Sequence, residues 1–285
     1  MDVDALVPWE PNFASRSPMY DVLQPLLGYF AGFPAGLWPD LTDYQRVLEA
    51  WPEPIMTLGD KPLTIVQQDG KPRNFEEHYA PRIYLTGEIQ TRTENWHDFF
   101  QYLTWFMFPH TKAVINSIHI PAAKRRLAEG IDIGRRTPVE NMLSLFDEGG
   151  AVIVSSNEAL LQLIRDFRWK ELFWHRREEV KQKLQCMTFG HAMYEKGLVP
   201  YIGMTANTIL LSADADYFSL PLKAQWAWVD DQLAKVLTEG NLYQKPKDLQ
   251  PFPILGMPGW DADNEWESYY DNTQYFRPAR FRKAG

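Results

Sequence analysis

Cysteine is nearly missing from this chain: Cys186 is the single one among 285 residues. An internal disulfide and a cysteine-built zinc site are therefore excluded, and a reducing compartment is expected. Positive charge is also short. Lys and Arg number 29 against 37 Asp and Glu, a net charge of −8. A general nucleic-acid coat needs a basic surface to neutralise phosphates, so that class is disfavoured. The local basic cluster Arg277, Arg280, Arg282 and Lys283 follows the acidic stretch D-A-D-N-E-W-E and pairs with it or stays solvated. No apolar run approaches the roughly 18 residues of a membrane span. The opening M-D-V-D-A-L-V-P-W-E has neither the basic nor the apolar region of a secretion signal. These absences lead us to expect a soluble, cytoplasmic protein with no membrane partner. Also missing are G-x-G-x-x-G, the P-loop and G-x-S-x-G, and with them the common nucleotide and hydrolase signatures.

Aromatic residues are what the chain has in excess: 11 Trp, 13 Tyr and 16 Phe. Each buried ring removes roughly 150–250 Å² from water, so rings should dominate the packing. Of the 21 prolines, 11 fall in residues 1–81 and five after residue 245. Proline removes a donor and breaks regular elements, so both ends should be irregular. The expected plan is one domain over 1–285. A proline-rich wrap occupies 1–81, a helical body 82–243 and an extended strap 244–285, the strap anchored by Phe252, Ile254, Leu255 and Trp260. The fold class is mainly α within α+β, with a small β-hairpin or sheet.

Element by element, residues 41–50 predict a helix with Asp40 as N-cap. Residues 62–68 predict a strand followed by a D-G turn at 69–70. Trp96 to Phe108 is apolar around most of its circumference and predicts a deeply buried helix closed by Pro109. A second helix is expected from His110 or Thr111 to His119, stopped by Pro121. In 142–156, two β-prone runs flank D-E-G-G, the pattern of a hairpin. Further helices are expected over E-A-L-L-Q-L-I-R-D-F, over about 16 residues from W-K-E-L-F-W, over M-T-F-G-H-A-M-Y-E-K and over 222–237.

A plain core helix has no use for polar residues, yet Glu94, His97, Asp98, Gln101 and Thr104 recur at spacings of three and four along the first buried helix. On the next, Lys112, Asn116 and His119 stand at i, i+4 and i+7. If the helices turn towards each other at Pro109, the two stripes meet. A buried polar group without a partner costs roughly 1–3 kcal/mol, so facing stripes satisfy each other or hold a ligand between them. The alternative is a solvated helix face. In the functional reading His97 is a base or metal ligand and Asp98 orients it. Lys112 neutralises substrate charge, and Asn116 and His119 position the ligand. Two imidazoles and a carboxylate suit a divalent metal, although neither spacing is a metal signature.

Asp147 and Glu148 could close the site from the D-E-G-G segment, which otherwise is ordinary turn chemistry. His191 lies beside Gly190 in an apparent helix and either joins the site or is a core histidine. Arg135 and Arg136 follow Gly134 and could receive a phosphate or carboxylate, or simply lie in an exposed loop. R-W-K-E-L-F-W-H-R-R at 168–177 superficially suggests RNA stacking. At helical spacing it puts Trp169, Leu172 and Phe173 inward and the charges outward. Cys186 reads as a small core residue.

Several segments occur together in one order: N-W-H-D-F-F at 95–100, F-P-H-T-K at 108–112, N-S-I-H at 116–119, F-D-E-G-G at 146–150, R-W-K-E-L-F-W at 168–174, F-G-H-A at 189–192 and P-F-P-I-L-G-M-P-G-W in the tail. Over roughly 80–280 the chain resembles an uncharacterised bacterial family, domain of unknown function 3025. The resemblance implies a bacterial, cytoplasmic protein and a shared role for His97, Asp98, Lys112, Asn116 and His119, and supplies no reaction. The resulting expectation is an enzyme or binding protein for a small polar or anionic ligand, using the cluster at 97–119 with or without a divalent metal. The alternatives are a non-catalytic helical module that binds another protein and, third, RNA binding through 168–177 and the tail.

Overall fold

The structure is a computed structural model that describes residues 3–68, 70–131, 135–239 and 242–279. Asp69 of the expected D-G turn, Gly134, and Arg280, Arg282 and Lys283 of the basic cluster lie outside the described residues. The fold is mixed α+β, mostly helical, with a small sheet.

The proline-rich start forms two single helical turns, α1 (Val3–Leu6) and α2 (Gln24–Leu27), joined by 3-10 turns. Helix α3 (Leu41–Glu49) begins at Asp40, as the sequence predicts. The Asp40 carboxylate accepts from the Asp43 amide at 2.9 Å, and Asp43 returns the bond at 3.0 Å. Strand β1 (Thr64–Gln67), helix α4 (Tyr79–Thr86) and strand β2 (Glu88–Thr91) follow, with β1 and β2 paired in parallel.

The body starts with α5 (Trp96–Met107), α6 (Pro109–Ala128) and α7 (Pro138–Gly149). Pro109 separates α5 from α6 as expected, because it supplies the first residue of the new helix. Pro121 does not stop α6. It sits inside the helix, which continues through A-A-K-R-R-L-A, a run of strong helix formers. Next come β3 (Gly150–Ser155), α8 (Glu158–Arg165), α9 (Arg177–Lys183), β4 (Leu184–Thr188), α10 (His191–Gly197), β5 (Thr205–Ser212), α11 (Leu222–Thr238) and β6 (Gln250–Pro253). The larger sheet has the order β4-β3-β5-β6. Strand β3 is antiparallel to β4 and parallel to β5, and β5 is antiparallel to β6. Every residue of β3 is buried, which explains its unbroken G-A-V-I-V-S run.

Three expectations are corrected here. Residues 142–156 are not a hairpin: Met142 to Gly149 end helix α7, and only 150–155 are strand. The helix expected across M-T-F-G-H-A is half strand, since Met187 and Thr188 belong to β4 and Gly190 caps α10 from outside. The long helix from Trp169 is interrupted by a wider turn at Glu171–His175 before α9.

One hydrophobic cluster extends from Val3 to Phe276. Trp9, Trp96 and Phe99 are fully buried, with Trp9 stacked on Trp96 at 5.3 Å between ring centroids. Trp169, Leu172 and Phe173 point inward as predicted. The tail lies over them, with Phe252, Ile254 and Leu255 buried and Trp260 half-buried. Phe173 packs on Phe252 and Tyr270, and the Trp169 indole donates to the Arg277 carbonyl at 2.8 Å. Cys186 is buried in β4, and burial pushes its thiol well above the ordinary range. No helix among the described residues is long and apolar enough to cross a membrane.

Candidate functional site

Helix α5 is started by Asn95, whose side-chain oxygen accepts from the Asp98 amide at 3.0 Å. The Asp4 carboxylate from the N-terminal wrap accepts from the Trp96 amide at 2.7 Å. Trp96, Phe99 and Phe100 fill the core, and His97 is left at the edge of a cavity of about 450 Å³.

Glycine packing brings the partners of His97 to it. The amides of Phe189 and Gly190 both donate to the Gly150 carbonyl, at 3.0 and 2.8 Å. A Cβ on Gly190 would lie 2.4 Å from the Glu148 carbonyl oxygen and 2.4 Å from the Gly150 nitrogen. Only glycine permits this approach, and it sets Glu148, at the end of α7, beside His191, at the start of α10. His191 and Glu195 are four apart on α10 and so share a face. Together they clasp His97. Its Nδ1 lies 2.9 Å from a Glu195 oxygen, and its Nε2 lies 3.0 Å from Nε2 of His191. The rings are nearly perpendicular, at 88°. A Glu148 oxygen stands 3.6 Å from the His191 Nε2 and 3.9 Å from the His97 Nε2.

The electrostatics of the two histidines differ. Burial pushes His191 down to about 3, reinforced by the Lys112 and His97 charges and opposed by Asp147. Its imidazole is therefore neutral at physiological pH, and its buried Nδ1 has no hydrogen-bond partner among the described residues. Burial also acts to lower His97, but its hydrogen bond to Glu195 and the charges of Glu148, Glu195 and Asp98 outweigh it and raise the ring. With the Nδ1 proton held by Glu195, Nε2 of His97 presents a lone pair towards His191. Two ring nitrogens 3.0 Å apart are joined either by one proton, which either ring can carry, or by a cation.

The donor set fits a metal ion. His97, Glu148 and His191 each offer one ligand atom, all within 4.8 Å of one another. Ligands about 2.0–2.1 Å from zinc at the tetrahedral angle lie roughly 3.3 Å apart. The observed 3.0, 3.6 and 3.9 Å bracket that separation. A carboxylate on the far nitrogen, here Glu195 on His97, is the usual outer support of a metal-bound imidazole.

Among the other residues expected at the site, Asp98, Gln101, Asn116, His119, Arg136 and Asp147 line the same cavity. Most of the stripe is not a solvated face, since Asp98 is 5% exposed and Thr104 fully buried, whereas Glu94 precedes α5 and is exposed. Asp98 does not orient His97. Arg92 grips both its oxygens, at 2.9 and 2.8 Å. Lys112 is 1% exposed, and its Nζ meets an Asp147 oxygen at 2.6 Å. Burial would raise Asp147, but the Lys112 charge and its hydrogen bond hold it below the usual carboxylate range. Asn116 donates to the Lys112 carbonyl, and His119 faces Glu140 at 3.4 Å. Arg135 is exposed in the loop before α7 and is not among the cavity residues.

Sequence reasoning missed Glu195, Arg92, Arg126 and Glu140. The T-P-V-E signature at 137–140 was readable as a capping box, and Thr137 and Glu140 do exchange those bonds. Arg126 then clamps Glu140 with contacts of 2.6 and 2.7 Å. Glu195 left no signal, because it lies 98 residues from the ring that it holds.

Compared with known proteins, the chain matches no curated protein and no solved structure. A family model described as a protein of unknown function, DUF3025, matches residues 63–280, which take in every residue of the His97–Glu148–His191–Glu195 cluster, and the chain belongs to that family.

Proposed function

We propose that the protein is a metal-dependent enzyme whose centre, His97, His191 and Glu148, takes a divalent transition-metal ion such as zinc and acts on a small polar molecule. The observation that carries this reading is the 3.0 Å approach of two Nε2 atoms with a carboxylate beside them. Three protein ligands leave a coordination position open, the arrangement of catalytic rather than purely structural sites. That position borders the cavity, where a substrate has room to enter. An ion there supplies Lewis-acid activation of a substrate oxygen or a water. Glu195 fixes the tautomer of His97 so that Nε2 faces the ion. His191, kept neutral by burial, is already in its ligand form. Lys112 keeps Asp147 ionised next to Glu148, and Arg92 ties down Asp98 at the cavity wall.

The reading extends to a single domain over 1–285, supported by the one core from Val3 to Phe276. It also extends to a reducing, bacterial cytoplasm, supported by the lone buried thiol and the family resemblance. The test is zinc titration of the metal-stripped protein with stoichiometry read by elemental analysis. One ion per chain is expected for the wild type, and none for the His97→Ala/His191→Ala double variant. A wild type that retains no zinc, cobalt, manganese or iron after dialysis at micromolar protein sinks the proposal.

A further inference from the structure

The charged side chains around the cavity form three closed pairs and leave two open positions, Glu148 beside the histidines and Arg136. Arg92 is matched by Asp98, Arg126 by Glu140, and Lys112 in the wall by Asp147. Arg136 also lines the cavity, and no carboxylate lies within ion-pair distance of it among the described residues. Its neighbour at this end is His119, whose ring feels the Arg136 charge. Burial lowers His119, Glu140 opposes this, and Arg136 lowers it further. His119 is therefore a neutral hydrogen-bonding group beside a cation, not a second charge.

The balance of the whole cavity points the same way. Its lining carries three arginines against four carboxylates, Asp98, Glu140, Asp147 and Glu148. With Lys112 in the wall the charged side chains balance, and Glu148, without a lysine or arginine partner among the described residues, is the position receptive to a cation. A divalent ion on His97, His191 and Glu148 tips that balance. The loaded cavity then has an excess of positive charge, with its one unmatched side chain at Arg136.

We infer that the substrate carries an anionic oxygen group, a carboxylate or a phosphate, and that Arg136 receives it beside His119 while the metal centre engages another part of the molecule. A planar guanidinium pairs with either anion through two parallel hydrogen bonds. This inference rests on the metal-centre reading for the reacting end, but the anion position stands on the charge pairing alone.

The experiment is calorimetric titration of inorganic phosphate and, separately, of malonate into the wild type, Arg136→Gln and Arg135→Gln, each with and without one equivalent of zinc. Zinc content is measured on the same samples. At least one anion is expected to bind the wild type, and the one that binds more tightly identifies the group. Arg136→Gln should weaken it roughly tenfold, as the loss of a charge-assisted pair requires. Arg135→Gln, on the same loop but outside the cavity, should leave it within about twofold. Equal effects of the two variants would show diffuse surface attraction, and no effect of Arg136→Gln would show an anion held by the metal alone. Either result overturns the inference, as does a wild type that binds neither anion. Normal zinc loading with an unaffected anion would defeat this inference and leave the metal centre standing. Absent zinc with an Arg136-dependent anion would do the reverse.

Discussion

A lysine with 1% of its surface exposed has lost its water and needs a partner in its place, and Asp147 supplies one at 2.6 Å. Removing one member of such a pair leaves the other buried and uncompensated, at a cost of about 3–5 kcal/mol. Lys112→Met should therefore destabilise the protein by that amount in urea denaturation. Lys112→Met/Asp147→Leu should recover much of the loss, because an apolar pair of similar volume needs no compensation. A double variant no better than the single one would mean that the pair is not the source of the effect. Glu195 acts differently. It touches His97 rather than the ligand position, so its role is to hold the ring. Glu195→Ala should weaken zinc binding by roughly 10–100-fold while leaving the denaturation midpoint nearly unchanged in alkaline buffer, where His97 is deprotonated with or without Glu195. Glu195→Gln keeps an acceptor for the Nδ1 proton and should fall between. Competition titration against a zinc-binding dye reads the affinity, and an unaltered affinity in Glu195→Ala would show that His97 does not depend on this contact.

Between elements, the site depends on how closely α10 approaches the junction of α7 and β3. Alanine at Gly190 would press its Cβ onto two backbone atoms at 2.4 Å, and backbone cannot swing aside. Gly190→Ala should cost roughly 1–3 kcal/mol or more and should lower zinc affinity by separating His191 from Glu148. Gly149→Ala is the control. Its nearest neighbour is the Asn207 side chain at 3.6 Å, and a helix gains up to about 1 kcal/mol from the change. Equal tolerance of both variants would refute the tight approach. The same junction shows what the sequence could express and what it could not. The Asp40 cap, the α5–α6 break at Pro109 and the inward face of 168–177 are local patterns, and each was readable from spacing. His97 was readable as a polar residue out of place on an apolar helix, and Glu148 and His191 as candidates to join it. D-E-G-G was misread because its composition suits a turn equally well. Tertiary packing decides here, with Gly150 pressed on Phe146 and Gly190 on Gly150. Pro121 was misread because the cost of one proline was set against nothing, while the helix beyond it is held by Arg126 on Glu140. The clasp of His97 joins residues 94 and 98 positions away, a distance over which no periodicity carries information.

At the level of the whole molecule, the wrap formed by the first residues is part of the support of the site, although the family match begins only at residue 63. Trp9 is fully buried against Trp96 and Phe99, and Asp4 caps the helix that carries His97. Folding of the site and folding of the chain are therefore one event, and the titration of the site should appear in global stability. Two groups lead the acid limb, and the lowered His119 and Asp147 add to it in the same direction. His191 is near 3 in the folded protein and near its ordinary 6.5 when unfolded. Between these values the unfolded chain holds a proton that the folded chain rejects, so stability is full above about 6.5 and falls as pH drops towards 3. Burial raises Glu140, but its bonds from Arg126 and Thr137 outweigh this and bring it to about 2, against an ordinary 4.5. Its contribution is present above 4.5 and disappears as pH falls through 2, roughly 3 kcal/mol in all. His97 runs the other way. Its raised value stabilises the fold below about 6.5 and loses that effect as pH rises through the folded value. Urea midpoints of the metal-free protein should thus form a broad maximum near neutrality and decline in two stages on the acid side. Glu140→Gln should lower the whole curve and flatten its lower stage, and His191→Phe should flatten the upper one. One equivalent of zinc should raise the neutral plateau and steepen the upper stage, because protons then compete with the ion for the same imidazoles. A single decline indifferent to His191→Phe would place the acid-sensitive group elsewhere and remove the argument that burial keeps this imidazole ready for a metal.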